Sequence, residues 1–148
     1  MTKRQFKLAV LMPTRGRTDA LSRSLFSLIN RAEKLDNIQF ILGFDNDDTV
    51  GLNHFTEVIQ PELDERGIEY QAMLFERLGY AGLNKYYNSL AEQADADWLF
   101  VWCDDAIMET DSWDQRIVEC TGEFKLLKVH THNEHPYSIF PIVPACLL

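Results

Sequence analysis

Two adjacent carboxylates, Asp104 and Asp105, stand just past a short apolar run, Trp98-Leu-Phe-Val-Trp102. A run of that length, rich in aromatic and branched residues, suits a strand buried on both faces. Acids at its carboxyl end emerge at the sheet edge, where open α/β sheets keep their ligand crevices. Neighbouring aspartates repel each other unless a cation or proton intervenes, so the pair makes chemical sense as a divalent-metal site. The competing structural reading is an acidic loop that caps the next helix.

Three other stretches carry polar chemistry directly after an apolar run. Phe6–Met12 is closed by Pro13 and followed by Thr14, Arg15, Gly16 and Arg17. Two arginines flanking a glycine between a strand and a helix suit an anion such as a phosphate, against the plainer reading of solvated surface charge. Ile38–Phe44 ends in Asp45-Asn-Asp-Asp48. That segment lacks the spacing and terminal glutamate of a calcium-binding EF-hand loop, so a base or ribose contact by Asp45 and capping by Asp48 or Thr49 are the simpler roles. Glu76–Gly82 contains Arg77 and two glycines, and precedes the most regular helical pattern in the chain.

The elements that must position these groups follow from periodicity. Leu21, Leu25, Leu28, Ile29, Ala32 and Leu35 predict a helix over Thr18–Leu35, with Thr18-Asp19 as its cap. Leu52, Phe55, Ile59 and Leu63 predict a second, broken by Pro61. Ile68–Phe75 is a third strand, and Leu83, Tyr86, Tyr87, Leu90, Ala91 and Ala94 share a helical face, which makes the two tyrosines packing residues. After the acidic pair, Thr110 or Asp111 caps a helix carrying Trp113, Ile117 and Cys120. Leu126–His130 reads as a fifth strand, and Phe140–Leu148 as a strand without a partner. His130, His132 and His135 have metal-ligand spacing, either as a zinc set or with one histidine joining a metal held by the aspartates. The order β-α-β-α-β-α-β-α-β predicts an α/β fold, a three-layer α/β/α arrangement with a mostly parallel, Rossmann-like sheet whose carboxyl-end loops share one rim.

With 148 residues, the chain has the length of one domain, and its 46% hydrophobic and 25% charged residues are those of a globular protein. The net charge of -9 argues against general nucleic-acid or anionic-membrane binding. Three cysteines without CxxC spacing, no signal peptide and no membrane-length apolar run point to a cytoplasmic protein.

Taken together, LAVLMPTRGR, FILGFDND, GYAGLNKYYNSLAEQA and DADWLFVWCDDAIMETDSWD resemble the nucleotide-diphospho-sugar transferases of the GT-A fold, in particular family-2-like glycosyltransferases. The resemblance implies a nucleotide-sugar donor, UDP-linked, with Pro13, Thr14 and Arg15 around the uridine or ribose and Asp45 on the base. Arg17, Asp47, Arg77, Gly82 and Asn84 fall in the implied nucleotide-binding loops, and Leu83 stands where the family often has an arginine. It further implies that Asp104 and Asp105 hold a Mn2+ or Mg2+ ion on the diphosphate, although Trp102 replaces the first acid of the usual Asp-x-Asp motif. The acceptor is open: glycan, lipid, protein or modified base. For the base that activates it, Asp111, Glu109, His132 and His135 are the candidates, with Glu109 and Asp111 equally suited to capping. The chain looks like the nucleotide-binding half of such an enzyme, a fragment or a minimal member. The alternatives are a sugar-nucleotide-binding module without catalysis and a nucleotidyltransferase on a related fold.

Overall fold

Alternate residues of Phe6–Thr14 (β1) face opposite ways and nearly all are buried, as a central strand requires. The computed structural model describes residues 4–120, 126–131 and 140–147. Within them β1 is followed by α1 (Thr18–Arg31), β2 (Ile38–Asp45), α2 (Thr49–His54), a π-helical turn (Phe55–Ile59), α3 (Gln60–Glu65) and β3 (Tyr70–Phe75). Then come α4 (Leu83–Glu92), β4 (Ala96–Val101), α5 (Trp113–Val118) and β5 (Ile142–Pro144). The sheet order is β3-β2-β1-β4-β5. The first four strands run parallel, and β5 pairs antiparallel with β4.

Chain direction away from β1 reverses between β1 and β4: β2 lies on one side of β1, β4 on the other. Such a switch point opens a crevice at the carboxyl ends of the two strands, because their following loops diverge to opposite sides. Leu8, Val10, Met12, Phe40, Leu42 and Phe100 face α1, the π turn and α5, where Leu25, Leu28, Phe55, Ile59, Trp113 and Ile117 cover them. Ala9, Leu11, Ile41 and Leu99 face the other way, against Leu90 and Ala91 of α4. The sheet is therefore covered on both faces, as the three-layer α/β/α expectation requires.

Several boundaries differ from the sequence reading, each for a local reason. β1 continues through Pro13, which pairs in register with Gly43 of β2. Leu11 accepts the Trp102 amide on the β4 side. Pro13, two residues on, turns its ring nitrogen the same way, past the end of that pairing, so its missing N–H breaks no ladder bond. The helix α1 ends at Arg31, and Leu35 sits in a separate 3-10 turn. Its N-cap is Arg17, without a side-chain cap, rather than Thr18-Asp19. Pro61 falls in the first turn of α3, where a proline is tolerated, and the π turn precedes it. Leu126–His130 is not a strand; it contributes one bridge, Leu127 to Ile142. The terminal apolar run does have a partner, since β5 lies against Trp98–Phe100.

Neither Thr110 nor Asp111 caps α5. Asp111 pairs with Arg31 at 2.6 Å, and Ser112, at a left-handed φ of 55°, is the N-cap. The chain makes this turn because the next three residues close the carboxyl end of α1. The Ser112 amide donates to the Arg31 carbonyl at 2.8 Å, and the Trp113 indole to the Leu28 carbonyl at 2.8 Å. Buried Asp114 accepts the Glu33 and Lys34 amides, each at 2.8 Å. Burial pushes the Asp114 carboxyl up, but these two amides and Gln115 together outweigh it and hold the group below the usual carboxylate range. Its contribution is therefore present above the unfolded-chain pKa and is lost as pH falls through the folded one. Asp114→Asn is expected to lose about 2 kcal/mol of unfolding free energy at neutral pH. In urea titrations at stepped pH, its deficit should shrink below about pH 4; a deficit independent of pH would contradict this role.

Candidate functional site

The loop after β1 spreads two guanidinium groups to two different acidic loops. Gly16 lies at φ 66°, a left-handed position that glycine adopts without strain, and it separates the two side chains. Arg15 pairs with Asp45 at 3.0 Å and with Asp47, which it grips through both terminal nitrogens. This raises the guanidinium pKa, chiefly through Asp47 and then Asp45, and lowers that of Asp47. Arg17 reaches the other way: one Nη lies 3.3 Å from Asp104 and 3.1 Å from Asp105. The Gly16 amide between them donates to Asp48 at 2.8 Å, and Asp48 also caps α2 through the Gly51 amide at 3.1 Å. A Cβ on Gly51 would stand 2.2 Å from that carboxylate, so this glycine preserves the tie between the two loops.

The ends of β1 and β4 are joined across the switch point by the Thr14 hydroxyl, which donates to Asp104 at 2.8 Å. Burial raises the Asp104 pKa, with Thr14 and Arg17 acting against it. The loop that carries Asp104 is pinned from α1. Ser24 accepts the Trp102 indole N–H at 2.9 Å and donates to the Cys103 carbonyl at 3.0 Å, while Ser27 accepts the Met108 amide at 2.9 Å. Trp102 is thereby a core residue, edge-on to Phe100 and tilted against Phe140, with its indole N–H on Ser24 rather than on the acids. A carboxylate at that position would be buried rather than presented to a ligand.

Asp45 is buried and accepts the Tyr86 hydroxyl, which in turn accepts the Leu78 amide at 2.8 Å. Burial first, and Asp45 second, raise the Tyr86 pKa, so the phenol remains a donor. Tyr87 donates to the Trp102 carbonyl at 2.6 Å, and burial raises its pKa too. Burial also raises the Cys103 thiol, which argues against a thiolate nucleophile there.

These loops enclose a cleft of about 430 Å³. Pro13, Thr14, Arg15, Arg17, Asp45, Arg77, Asp104 and Asp105, all named from sequence, line it together. Its lining does not include Asp47, Gly82, Asn84 or Asp111. Asp47 is reached through Arg15, Gly82 and Asn84 sit at the start of α4, and Asp111 is turned to Arg31. His132 and His135 lie outside the described residues, and His130 is exposed. The reading of Tyr86 and Tyr87 as packing residues accounts for their rings but misses the bonds of their hydroxyls, and both residues line the cleft with Gly79, Tyr80 and Leu83. The available signal was chemical: a buried tyrosine needs a partner for its hydroxyl.

Asp104 and Asp105 offer hard carboxylate oxygens that suit Mn2+ or Mg2+, and the guanidinium between them demonstrates that one cation can contact both. No group of three or more metal-donor side chains exists among the described residues. A divalent ion here would complete its coordination with phosphate oxygens and water, as small hard cations commonly do.

No family model matches the chain, and no curated protein matches it in sequence. Solved structures do. The chain is similar to S. aureus TarS 1-349 in complex with UDP, at 14% identity and a TM-score of 0.70 over 96% of this chain and 48% of that one. TarS 1-349 in complex with UDP-GlcNAc matches at 15% identity and a TM-score of 0.60, over 75% and 29%. The mannosyltransferase PcManGT from Pyrobaculum calidifontis, in complex with GDP-Man and Mn2+, matches at 13% identity and 0.59, over 74% and 30%. The chain spans less than half the length of these structures. It has their GT-A-like fold. Among the described residues no helix is long and apolar enough to cross a membrane.

Tyr86→Phe keeps the edge contact with Phe75 but leaves the Leu78 amide without its acceptor and Asp45 with Arg15 alone as donor. A loss of about 1–3 kcal/mol in urea unfolding is expected, with an unchanged m value. Wild-type stability in this variant would mean that water replaces the hydroxyl at no cost.

Proposed function

We propose that this chain binds a nucleoside-diphosphate sugar, UDP-linked, and transfers the sugar to an acceptor with help from a divalent metal. The observation that carries the reading is the convergence on one cleft of Thr14, Arg15, Asp45, Arg77 and the Asp104–Asp105 pair, at the switch point of a GT-A-like sheet. Neighbours of the same fold bound to UDP, UDP-GlcNAc and GDP-Man support a donor of that class. Asp45 faces the nucleoside, and Pro13, Thr14 and Arg15 border it. Arg17 and Arg77 supply positive charge to the diphosphate. Asp104 and Asp105 would hold the ion, Mn2+ or Mg2+; bound there, it would neutralise charge building on the departing diphosphate. The Thr14 hydroxyl keeps Asp104 oriented at the mouth of β4.

A second reading, donor binding without transfer, is favoured by the state of the cleft carboxylates. Asp45 is engaged by Arg15 and Tyr86, Asp104 by Thr14 and Arg17, and Asp105 by Arg17. An acceptor hydroxyl needs a base within hydrogen-bond reach, and these three are already committed. Titration of UDP and UDP-sugars with and without Mn2+, followed by an assay of UDP release with candidate acceptors, separates the readings. Turnover supports the transferase. Tight binding without turnover across acceptors supports the module, and absence of any nucleotide binding refutes both.

Asp104→Asn should abolish the Mn2+-dependent part of UDP affinity while the circular dichroism spectrum stays that of the wild type, because the group sits at the sheet rim. Retained Mn2+ dependence would refute the ligand assignment. Asp45→Ala should weaken UDP and UMP by a similar factor, about tenfold for a lost charged hydrogen bond. A loss confined to UDP would place Asp45 on the diphosphate instead.

A further inference from the structure

We propose that Arg17 is the resident counter-ion of the Asp104–Asp105 pair, and that it gives up this place to a divalent cation only when a nucleoside diphosphate arrives to receive the guanidinium. The inference rests on the donor-site reading above and adds an order to it: nucleotide first or together with metal, never metal alone at high affinity.

The geometry points there on three counts. A single Arg17 nitrogen contacts both carboxylates, at 3.3 Å and 3.1 Å, which is the bridging position a metal ion would need. The pair offers too few donors for a metal by itself, since no group of three or more metal-donor side chains occurs among the described residues. And the Arg17 side chain is 58% exposed at the start of α1, so it can swing without disturbing the core.

Charge fixes the direction of the exchange. Two carboxylates and one guanidinium leave a local charge of one negative unit, which attracts a dication weakly. A dication entering beside Arg17 would also be repelled by it at short range. A diphosphate reverses both conditions: it supplies oxygens that complete the metal's coordination, and it offers Arg17 a new anionic partner in the same cleft. Arg15 takes no part in this exchange, because Asp45 and Asp47 hold it on the nucleoside side. By linkage, UDP must raise the affinity for metal by the same factor that metal raises the affinity for UDP.

The test uses the full 148-residue chain and reads free Mn2+ by electron paramagnetic resonance, with and without UDP. In the wild type, UDP should tighten Mn2+ binding by about 10–100-fold. Arg17→Gln should bind Mn2+ alone about 5–10-fold more tightly than the wild type and show a smaller UDP effect. Arg17→Lys, which retains the charge, should return Mn2+-alone binding toward the weak wild-type value. Unchanged or weaker Mn2+-alone binding in Arg17→Gln, with UDP coupling intact in the wild type, would overturn the counter-ion role while leaving the donor site standing. Absence of Mn2+ binding by the wild type even in the presence of UDP would overturn the donor-site reading, and this proposal with it.

Discussion

Carboxylates gathered at the ends of parallel strands repel one another, and the rest of this site depends on how that repulsion is relieved. The five residues Pro13–Arg17 do it from the centre of the sheet. Arg15 answers the acids after β2, Arg17 those after β4, and the Gly16 amide answers Asp48. Because β1 lies between β2 and β4, the loop that follows it can reach both sets. The left-handed glycine lets the two guanidinium groups diverge. A site charged in this way is ready for an anion, since both arginines are already held at the rim and Arg17 has only to exchange partners.

Hydrogen bonds from uncharged side chains then set the positions that ion pairing alone would leave loose. Thr14 fixes Asp104 across the switch point, and Tyr86 fixes Asp45 while tying down the loop before α4. Ser24 and Ser27 do the same for the segment after β4, with Ser24 set in the buried stripe of α1 beside Leu25 and Leu28. The carboxyl end of that helix is closed in turn by Ser112, Trp113 and Asp114. The chain after the acidic pair thus returns to stabilise the helix that pins the pair. This reciprocity explains why the segment turns through a left-handed serine instead of capping its own helix with Asp111.

Much of this architecture was legible in the residues. Continuous apolar runs marked β1, β2 and β4, helical spacing marked α1 and α4, and acids or arginines immediately past each strand marked the rim. The misreadings share a cause. Composition alone marks Leu126–His130 and Phe140–Leu148 as strands, but whether a short run becomes a strand depends on which edge remains open. The edge of β4 was open to Ile142–Pro144, in the antiparallel sense. Side-chain type alone points to local caps for α1 and α5, whereas Asp111 finds its partner on α1 and Asp114 finds two just past its end, about 80 residues away in sequence.

The sequence by itself determined the fold class, the order of the first four strands and the helices between them, and the identity of the charged loops. Those properties follow from periodicity and from chemistry confined to a few consecutive residues. Only the tertiary structure decided which acid each arginine serves, that Trp102 turns into the core beside Ser24, and that Tyr86 hands its hydroxyl to Asp45. These depend on strand order and on the direction of each side chain at the sheet edge. A hydrogen bond between residues 41 or 90 positions apart leaves no trace in local spacing, because it forms only after the strands that carry its ends have been set in register.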